Sequence, residues 1–277
     1  MDCMNFIESL AERAKSASPA VPEDYIQDGL IFCGKCGTPK QTRLQFGGLI
    51  VSCLCQCQSE AYEREQEKQR SQDRLNRISQ LRSLGFPDIE TARCTFECDD
   101  WRDKKLSSAC RRYVDRFPDF LKRGRGLLLY GPVGTGKSFL SAGIANALIE
   151  QGRPCLVTNF IRLTNTLQDS FEGRQDYIDR LRQFQLLVID DLAAERDTDY
   201  MGEQIYSIID ARYRQGLPLI VTTNLTAEEL KNPGQLRRQR IFSRLFEMCV
   251  PIEVKGADRR RQILRNEHDE LKEMLGL

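Results

Sequence analysis

Residues 131–138, Gly-Pro-Val-Gly-Thr-Gly-Lys-Ser, constrain the fold of this chain more than any other segment. They follow an apolar run at 126–130 that predicts a β-strand, and they open a helical pattern over 138–151 that stops at Gly152. A glycine-rich turn between a strand and a helix directs backbone N–H groups and the positive helix end at one point, where they bind phosphate. The segment therefore predicts a nucleotide phosphate site of the Walker A kind.

The residue types in this segment fit that chemistry. Glycine at positions 131, 134 and 136 allows the tight turn, and Lys137 would reach the β- and γ-phosphates while the Ser138 hydroxyl would ligate magnesium. We predict that the nucleotide is bound by Gly131, Pro132, Val133, Gly134, Thr135, Gly136, Lys137, Ser138 and Phe139.

Strand and helix patterns alternate along the chain from residue 126 onward. Four further apolar runs predict strands, at 154–159, 186–189, 217–221 and 250–254. Helical patterns occupy 160–183 and 202–214. Apolar strands separated by helices are typical of a parallel sheet covered on both faces, so the expected fold class is α/β.

Two polar clusters follow neighbouring strand patterns. Asp190 and Asp191 end the run Leu-Leu-Val-Ile, which is the Walker B pattern. At the carboxyl edge of the sheet Asp190 would hold the water shell of magnesium, and Asp191 would orient or deprotonate the attacking water. Asn224 follows the next strand and would hold that water or the γ-phosphate. Together these residues predict ATP hydrolysis.

The ordered set of these motifs, followed by Arg240-Ile-Phe-Ser-Arg244-Leu, resembles the AAA+ ATPases, and more narrowly the DnaC/DnaI-like replicative helicase loaders and the IstB-like transposition helpers. The resemblance covers roughly residues 85–261. It implies a five-stranded parallel sheet, with ATP bound between neighbouring subunits. By position, Asn224 corresponds to sensor 1 and Arg260 to sensor 2. Arg244 falls at the arginine finger, with Arg240 as the nearby alternative.

Two departures from the common AAA+ pattern matter. Asp191 stands where most of these proteins have glutamate, which is one methylene longer, so we expect slow hydrolysis. Sixteen residues follow Arg261, fewer than the usual helical lid needs, so we expect no C-terminal lid domain. In both respects the chain resembles the loader and helper branch.

Five of the eleven cysteines lie between residues 33 and 57. Cys33 and Cys36, in a Cys-x2-Cys turn, would present two thiolates to one tetrahedral ion, and two of Cys53, Cys55 and Cys57 would complete the site. The spacing leaves open which two. Zinc is the expected ion, and an Fe–S cluster or unliganded structural thiols are the alternatives. Metal binding would supply folding free energy to so small a module.

These patterns divide the chain into a zinc-binding module over 1–58, a charged helical linker over 59–84 and an AAA+ ATPase domain over 85–277. Some helicase loaders carry a similar amino-terminal zinc module that engages the helicase, and transposition helpers generally lack one. The resemblance therefore favours an ATP-dependent loader of a hexameric replicative helicase onto single-stranded DNA, which self-associates through its ATP sites. The alternatives are an IstB-like helper that binds duplex DNA and recruits a transposase, and an adaptor in which ATP is structural.

Composition bears on partners and compartment. Forty-one basic and forty acidic residues leave a net charge of +1, so any contact with nucleic acid must come from a local patch. Candidates for that contact are Arg162, Arg174, Arg180, Arg182, the stacking residues Phe160 or Phe171, and the patch Arg237-Arg238-Gln-Arg240. No apolar run is long enough to span a bilayer and no secretory signal is evident, so we expect a cytoplasmic protein.

Overall fold

The computed structural model describes residues 23–44, 48–100, 102–169, 173–192, 199–259 and 271–275. Side chains are described for these residues except at 167–169, 174–175 and 199–201. The chain divides into two compact units, residues 1–75 and 76–277. Within the described ranges, no helix has the length and apolar character needed to cross a bilayer.

The first unit contains two short β-hairpins. Strands β1 (Tyr25–Gln27) and β2 (Leu30–Phe32) pair antiparallel, as do β3 (Gln41–Arg43) and β4 (Ile50–Ser52). The two residues between β1 and β2 have φ angles of 54° and 74°. Two consecutive positive φ angles give the tight turn whose twist matches that of a hairpin. The cysteine-rich segment is therefore organised by short strands and their turns.

Helix α1 (Gln56–Gly85) follows β4 and covers the stretch for which the sequence predicts a charged helix. It extends beyond that stretch at both ends. Its last turns, from Asn76 onward, belong to the second unit. There the Ile78 side chain is buried in an apolar core, so the end of α1 is part of a packed domain.

The second unit is built around a five-stranded parallel sheet, which confirms the expected α/β class. Its strands are β5 (Gly126–Tyr130), β6 (Cys155–Asn159), β7 (Leu186–Asp190), β8 (Leu219–Thr223) and β9 (Cys249–Glu253). Their order across the sheet is β6-β7-β8-β5-β9, and every neighbouring pair is parallel. Strand β5, which leads into the glycine-rich segment, thus lies between β8 and β9.

Helices cover both faces of this sheet. They are α2 (Ile89–Arg93), α3 (Lys104–Asp115), α4 (Phe117–Arg123), α5 (Lys137–Glu150), α6 (Phe160–Asp169), α7 (Arg174–Arg180), α8 (Asp199–Gln215), α9 (Ala227–Lys231) and α10 (Leu236–Met248). Along β7, Leu186 and Val188 enter one apolar core, which α5 shares, and Leu187 and Ile189 enter another, which α8 and α10 share. This alternation is that of a strand buried on both faces.

Two elements differ from the sequence prediction. The helical pattern predicted over 160–183 is divided, because Gly173 lies in a turn directly before α7. Strand β8 begins two residues later than predicted, because Pro218 has no N–H for the ladder. The N–H of Leu217 instead donates to the Arg212 carbonyl at 3.2 Å, at the end of α8.

Candidate nucleotide site and cysteine cluster

The loop between β5 and α5 adopts a backbone conformation that favours glycine. The φ angles are 133° at Gly131, 76° at Gly134 and 97° at Gly136. Space is equally restrictive, since a Cβ at Gly131 would lie 2.5 Å from the Val254 carbonyl oxygen. A Cβ at Gly134 would lie 1.9 Å from an Asp258 carboxylate oxygen. The loop therefore curves tightly and leads directly into the amino end of α5.

Lys137, the first residue of α5, folds its side chain back over this loop. It is 6% exposed, and its Nζ donates to the carbonyl oxygens of Gly131 at 2.8 Å and Pro132 at 2.6 Å. The buried Thr135 hydroxyl donates to the same Pro132 carbonyl at 2.9 Å. These contacts place the ammonium beside any phosphate group that the N–H groups of the loop bind.

One threonine joins the carboxylates after β7 to strand β8. Thr222 is 1% exposed, and its hydroxyl donates to the Asp190 carboxylate at 2.6 Å and accepts from the Asp191 N–H at 2.8 Å. Asp191 has a φ of 59°, which is rare for a residue other than glycine. The Asn224 amide donates to the Asp191 carboxylate at 2.7 Å. Hydrogen bonds from the end of β8 and from Asn224, which follows it, thus fix the Asp190 carboxylate and the strained turn at Asp191.

A cleft of about 420 Å³ lies between the glycine loop and these carboxylates. Of the residues predicted from the sequence, it is lined by Val133, Gly134, Gly136, Lys137, Ser138, Phe139, Asp190, Asp191 and Asn224. Gly131, Pro132 and Thr135 do not line the cleft but shape its loop. Residues that the prediction did not include also line it, namely Cys98, Asp100, Arg102, Thr222 and Arg259. Motifs far apart in the sequence therefore meet at one site.

Arg259 is one of two arginines, with Arg102, that line this cleft and that sequence reasoning missed. Its guanidinium lies 3.0 Å from the Asp100 carboxylate, and its backbone N–H donates to the Gly134 carbonyl at 2.9 Å. Arg260, predicted as sensor 2, lies outside the described residues. Of the two arginines in the run Asp-Arg-Arg at 258–260, the structure describes Arg259, and it lines the cleft.

In the first unit, four cysteines bring their sulfur atoms within 4.8 Å of one another: Cys33, Cys36, Cys55 and Cys57. The first two lie on the turn after β2, and the other two at the start of α1. Cys53, the fifth candidate, is not in this cluster, and its thiol lies 3.5 Å from the Pro39 carbonyl oxygen. The fold thus separates Cys53 from the four cysteines that could hold one ion.

The four sulfur atoms fit a tetrahedral metal ion. Metal–sulfur bonds of about 2.3 Å place sulfur atoms about 3.8 Å apart, and the Cys57 sulfur lies 3.6 Å from that of Cys33 and 3.3 Å from that of Cys55. The backbone N–H of Cys36 lowers the pKa of Cys33. The Thr38 hydroxyl lowers the pKa of Cys36 to about 5. Hydrogen bonding to Cys55 and Cys33 raises the pKa of Cys57 to about 12, so binding of a metal ion would release the proton of that thiol.

Comparison with known proteins assigns the sequence of this chain to a family. The family model described as IstB-like ATP binding protein matches residues 57–266, most of the chain. The chain belongs to this family. It is a family of AAA+ P-loop ATPases, which agrees with the order of the strands and with the residues gathered at the cleft.

Individual relatives of this IstB-like protein include two helicase loaders. The replicative helicase loader DnaI of Bacillus subtilis (strain 168) is 30% identical over 162 residues, 51% of this chain and 51% of DnaI. The match thus spans about half the length of DnaI. The replicative helicase loader DnaC of Escherichia coli (strain K12) is 27% identical over 196 residues, 68% of this chain and 74% of DnaC. A crystal structure of DnaI aligns with a TM-score of 0.53 and 26% identity, over 65% of this chain and 98% of that one.

Neither arginine-finger candidate of this IstB-like chain lines its own nucleotide cleft. Arg240 is exposed on α10. Arg244, one turn later, is partly exposed and lies against α8, where its Nε is 3.5 Å from the Asp210 carboxylate. A residue that acts on the nucleotide of a neighbouring subunit must be at least partly exposed and lie outside the cleft of its own chain, as both candidates do.

The predicted nucleic-acid contacts are only partly accessible. Phe160 is 6% exposed, so it offers no ring face for base stacking, and that part of the prediction is wrong. The sequence pattern does not settle this, because the first residue of a helix after a strand can face either the core or solvent. Arg162, Arg180 and Arg182 are exposed. Phe171 and the side chain of Arg174 lie outside the described structure.

Proposed function

We propose that this protein is an ATPase that loads a hexameric replicative helicase onto single-stranded DNA. The observation that carries the proposal is the convergence of Lys137, Asp190 and Asn224 on one cleft, in a chain that also holds a four-cysteine cluster. Two relatives bear the name replicative helicase loader. A loader needs separate surfaces for helicase and DNA under nucleotide control, and a chain of two units can supply them.

The parts of the chain take different roles in this proposal. Residues 1–58 form the zinc-binding module that contacts the helicase, and 59–84 form the charged helical linker. Residues 85–277 form the AAA+ domain that binds ATP and single-stranded DNA. Such a replication protein acts in the cytoplasm, where its helicase and DNA are found.

ATP binds with its phosphates on the glycine loop. The loop N–H groups and the amino end of α5 bind phosphate oxygens, and Lys137 neutralises charge on the β- and γ-phosphates. Asp191, held by the Asn224 amide, orients or deprotonates the attacking water. Arg102 and Arg259 add further cations to the cleft. Because the Asp191 side chain is one methylene shorter than glutamate, its carboxylate reaches the water less well, and turnover is slow.

Two metal ions complete the proposal. Ser138 and Asp190 would hold magnesium, which prefers oxygen ligands and would stabilise the phosphate charge when bound. Thr222 keeps the Asp190 carboxylate in place for this role. Zinc would be held by Cys33, Cys36, Cys55 and Cys57. That ion would stabilise two hairpins whose strands are three residues each, too short to be stable alone.

Neighbouring subunits complete one another's sites. Arg244, or Arg240 as the alternative, reaches the γ-phosphate of ATP on the adjacent chain and stabilises the charge that develops there. ATP thereby holds the subunits together around single-stranded DNA. The exposed Arg162, Arg180 and Arg182 supply cations for the DNA backbone, and hydrolysis releases the loader.

Complex formation with the replicative helicase of the source organism tests this function. The full chain is mixed with the helicase in ATP, in ADP and without nucleotide, and the mixtures are resolved by size-exclusion chromatography. We expect a complex that depends on the nucleotide and is lost when Cys55 and Cys57 are replaced by serine. Absence of a complex in every nucleotide state would contradict the loader function.

The alternative function is that of a transposition helper. The matching family model is itself the IstB-like one, which favours a protein that coats duplex DNA and recruits a transposase. Electron microscopy of the chain with ATP and either duplex or single-stranded DNA distinguishes the two functions. Filaments on duplex DNA, together with no helicase complex, would support the helper.

A further inference from the structure

We infer that Asp210 and Tyr213 are positioning residues, which hold the Arg244 guanidinium where it reaches the nucleotide of a neighbouring subunit. The inference rests on the proposed function, in which Arg244 acts on ATP bound by the adjacent chain. Neither Asp210 nor Tyr213 lines the nucleotide cleft of its own chain. Their effect on hydrolysis is therefore exerted through Arg244.

Arg244 is held by side chains of α8 and α10, among them Tyr206, which forms a hydrogen bond with it. Its guanidinium lies 4.3 Å from the centre of the Tyr213 ring, within the range of a cation–π contact. Its Nε lies 3.5 Å from Oδ1 of Asp210, and its terminal nitrogen donates to Glu247 at 3.3 Å. The side chain is nevertheless 32% exposed. It is thus fixed in direction while part of it faces outward.

Asp210 is a buried carboxylate between two arginines. It is 8% exposed, and its Oδ2 lies 2.7 Å from the Nε of Arg214. Arg214 is 79% exposed, so little besides Asp210 holds its side chain. The other oxygen, Oδ1, is buried and accepts no hydrogen bond within the described structure, and the Nε of Arg244 lies 3.5 Å from it. Burial of a carboxylate oxygen without a partner is unfavourable, so Oδ1 attracts the Arg244 guanidinium. The buried charge thus serves to orient Arg244 across the contact between α8 and α10.

Arg212 fixes the segment of α8 that carries both positioning residues. Arg212 is 1% exposed, and its guanidinium donates to four backbone carbonyl groups in the segments that lead into β7 and β8. These are the strands whose far ends carry Asp190 and Asn224. Asp210 and Tyr213 are therefore presented by a rigid element, as accurate positioning of a charged group requires.

Asp210→Asn and Tyr213→Ala should misplace Arg244 while leaving the nucleotide cleft of the same chain intact. A misplacement of about 1 Å costs up to ~10²-fold in rate, so we expect kcat for ATP to fall roughly ten- to hundredfold with little change in KM. Tyr213→Phe, which keeps the ring, should recover most of the loss. Arg214→Ala, which removes the exposed partner of Asp210, is the matched control and should retain wild-type kcat.

Mixed assemblies separate this role from a folding defect. Lys137→Ala chains should bind no ATP but still donate Arg244. Arg244→Ala chains keep an intact cleft but donate no arginine. A mixture of the two should recover ATPase activity that neither has alone. Failure of this mixture would contradict the action of Arg244 between subunits, and with it the proposed function.

Asp210→Asn chains are then mixed with each of these two variants. With Lys137→Ala they should recover as much activity as Arg244→Ala chains do, because the neighbour supplies a well-placed arginine. With Arg244→Ala they should recover none. If they restore Arg244→Ala as fully as Lys137→Ala does, Asp210 does not position Arg244 and only this inference is wrong. Inactivity in both mixtures would assign the effect to the cleft or the fold and would also overturn it.

Discussion

At the scale of single residues, Thr222 connects the two carboxylates that line the cleft. It lies near the end of β8, the central strand of the sheet, where its hydroxyl meets both the Asp190 side chain and the backbone of Asp191. Asp191 is held with positive φ, a conformation that costs energy and needs support from its surroundings. The Thr222 hydroxyl donates to the Asp190 carboxylate and accepts from the backbone of Asp191. It therefore fixes the positions of two proposed catalytic residues at once.

Thr222→Val tests that arrangement, since valine keeps the shape and removes the hydroxyl. A hydrogen bond to a charged group contributes about 1.5–3 kcal/mol, so we expect kcat for ATP hydrolysis to fall roughly ten- to hundredfold. Steady-state ATPase assays would measure this. Thr223→Val is the matched control, because that buried hydroxyl donates to the Leu192 carbonyl and to neither carboxylate. Equal losses in the two variants would refute a specific role for Thr222.

At this scale, the sequence predicted those site residues that belong to continuous motifs. Lys137, Asp190 and Asn224 belong to continuous motifs whose place at a strand end follows from the apolar run before them, and all three line the cleft. The hydrogen bonds that Thr222 makes to Asp190 and Asp191 form because β8 lies beside β7. The sequence does not give this order of the strands. Arg259 depends on the turn after β9, and adjacent arginines cannot be separated by pattern alone.

At the scale of elements, the five strands of the sheet were predictable because buried parallel strands are continuous apolar runs. The cysteines that could hold a metal ion were not. Cys53, Cys55 and Cys57 alternate, and spacing alone does not say where β4 ends and α1 begins. In the structure β4 ends at Ser52 and α1 begins at Gln56. Cys55 and Cys57 therefore lie on either side of the first residue of α1 and cluster with Cys33 and Cys36. Cys53 lies outside this cluster.

Replacement of single cysteines tests which ones hold the metal. We expect about one zinc ion per chain in the wild-type protein and in Cys53→Ser, and loss of the ion in Cys55→Ser, which removes one of four ligands. Metal content is measured by inductively coupled plasma mass spectrometry on freshly purified protein. The pair is matched, since both positions precede α1 and both changes remove one thiol. Equal zinc content in the two variants would contradict the assigned ligand set.

At the scale of the whole molecule, the boundary between the two units bears on how the chain is divided. The sequence places the AAA+ domain from residue 85, where the charged composition ends, whereas the compact units divide after Leu75. Composition shows where a helix is mostly polar, but a single apolar residue within such a helix can still be buried in a core. Ile78, within the charged helix, is 8% exposed and belongs to the core that also contains Leu148.

Truncated chains would locate the boundary. Residues 76–277 should bind ATP as the full chain does, whereas 85–277 should be less stable by about 2–5 kcal/mol, the usual effect of removing a buried isoleucine side chain. Urea denaturation followed by circular dichroism measures the difference. In the full chain, Ile78→Ala should reproduce the loss, and Leu75→Ala should not, because Leu75 is 61% exposed. If 85–277 is as stable as 76–277, the last turns of α1 belong to the linker and the boundary lies where composition places it.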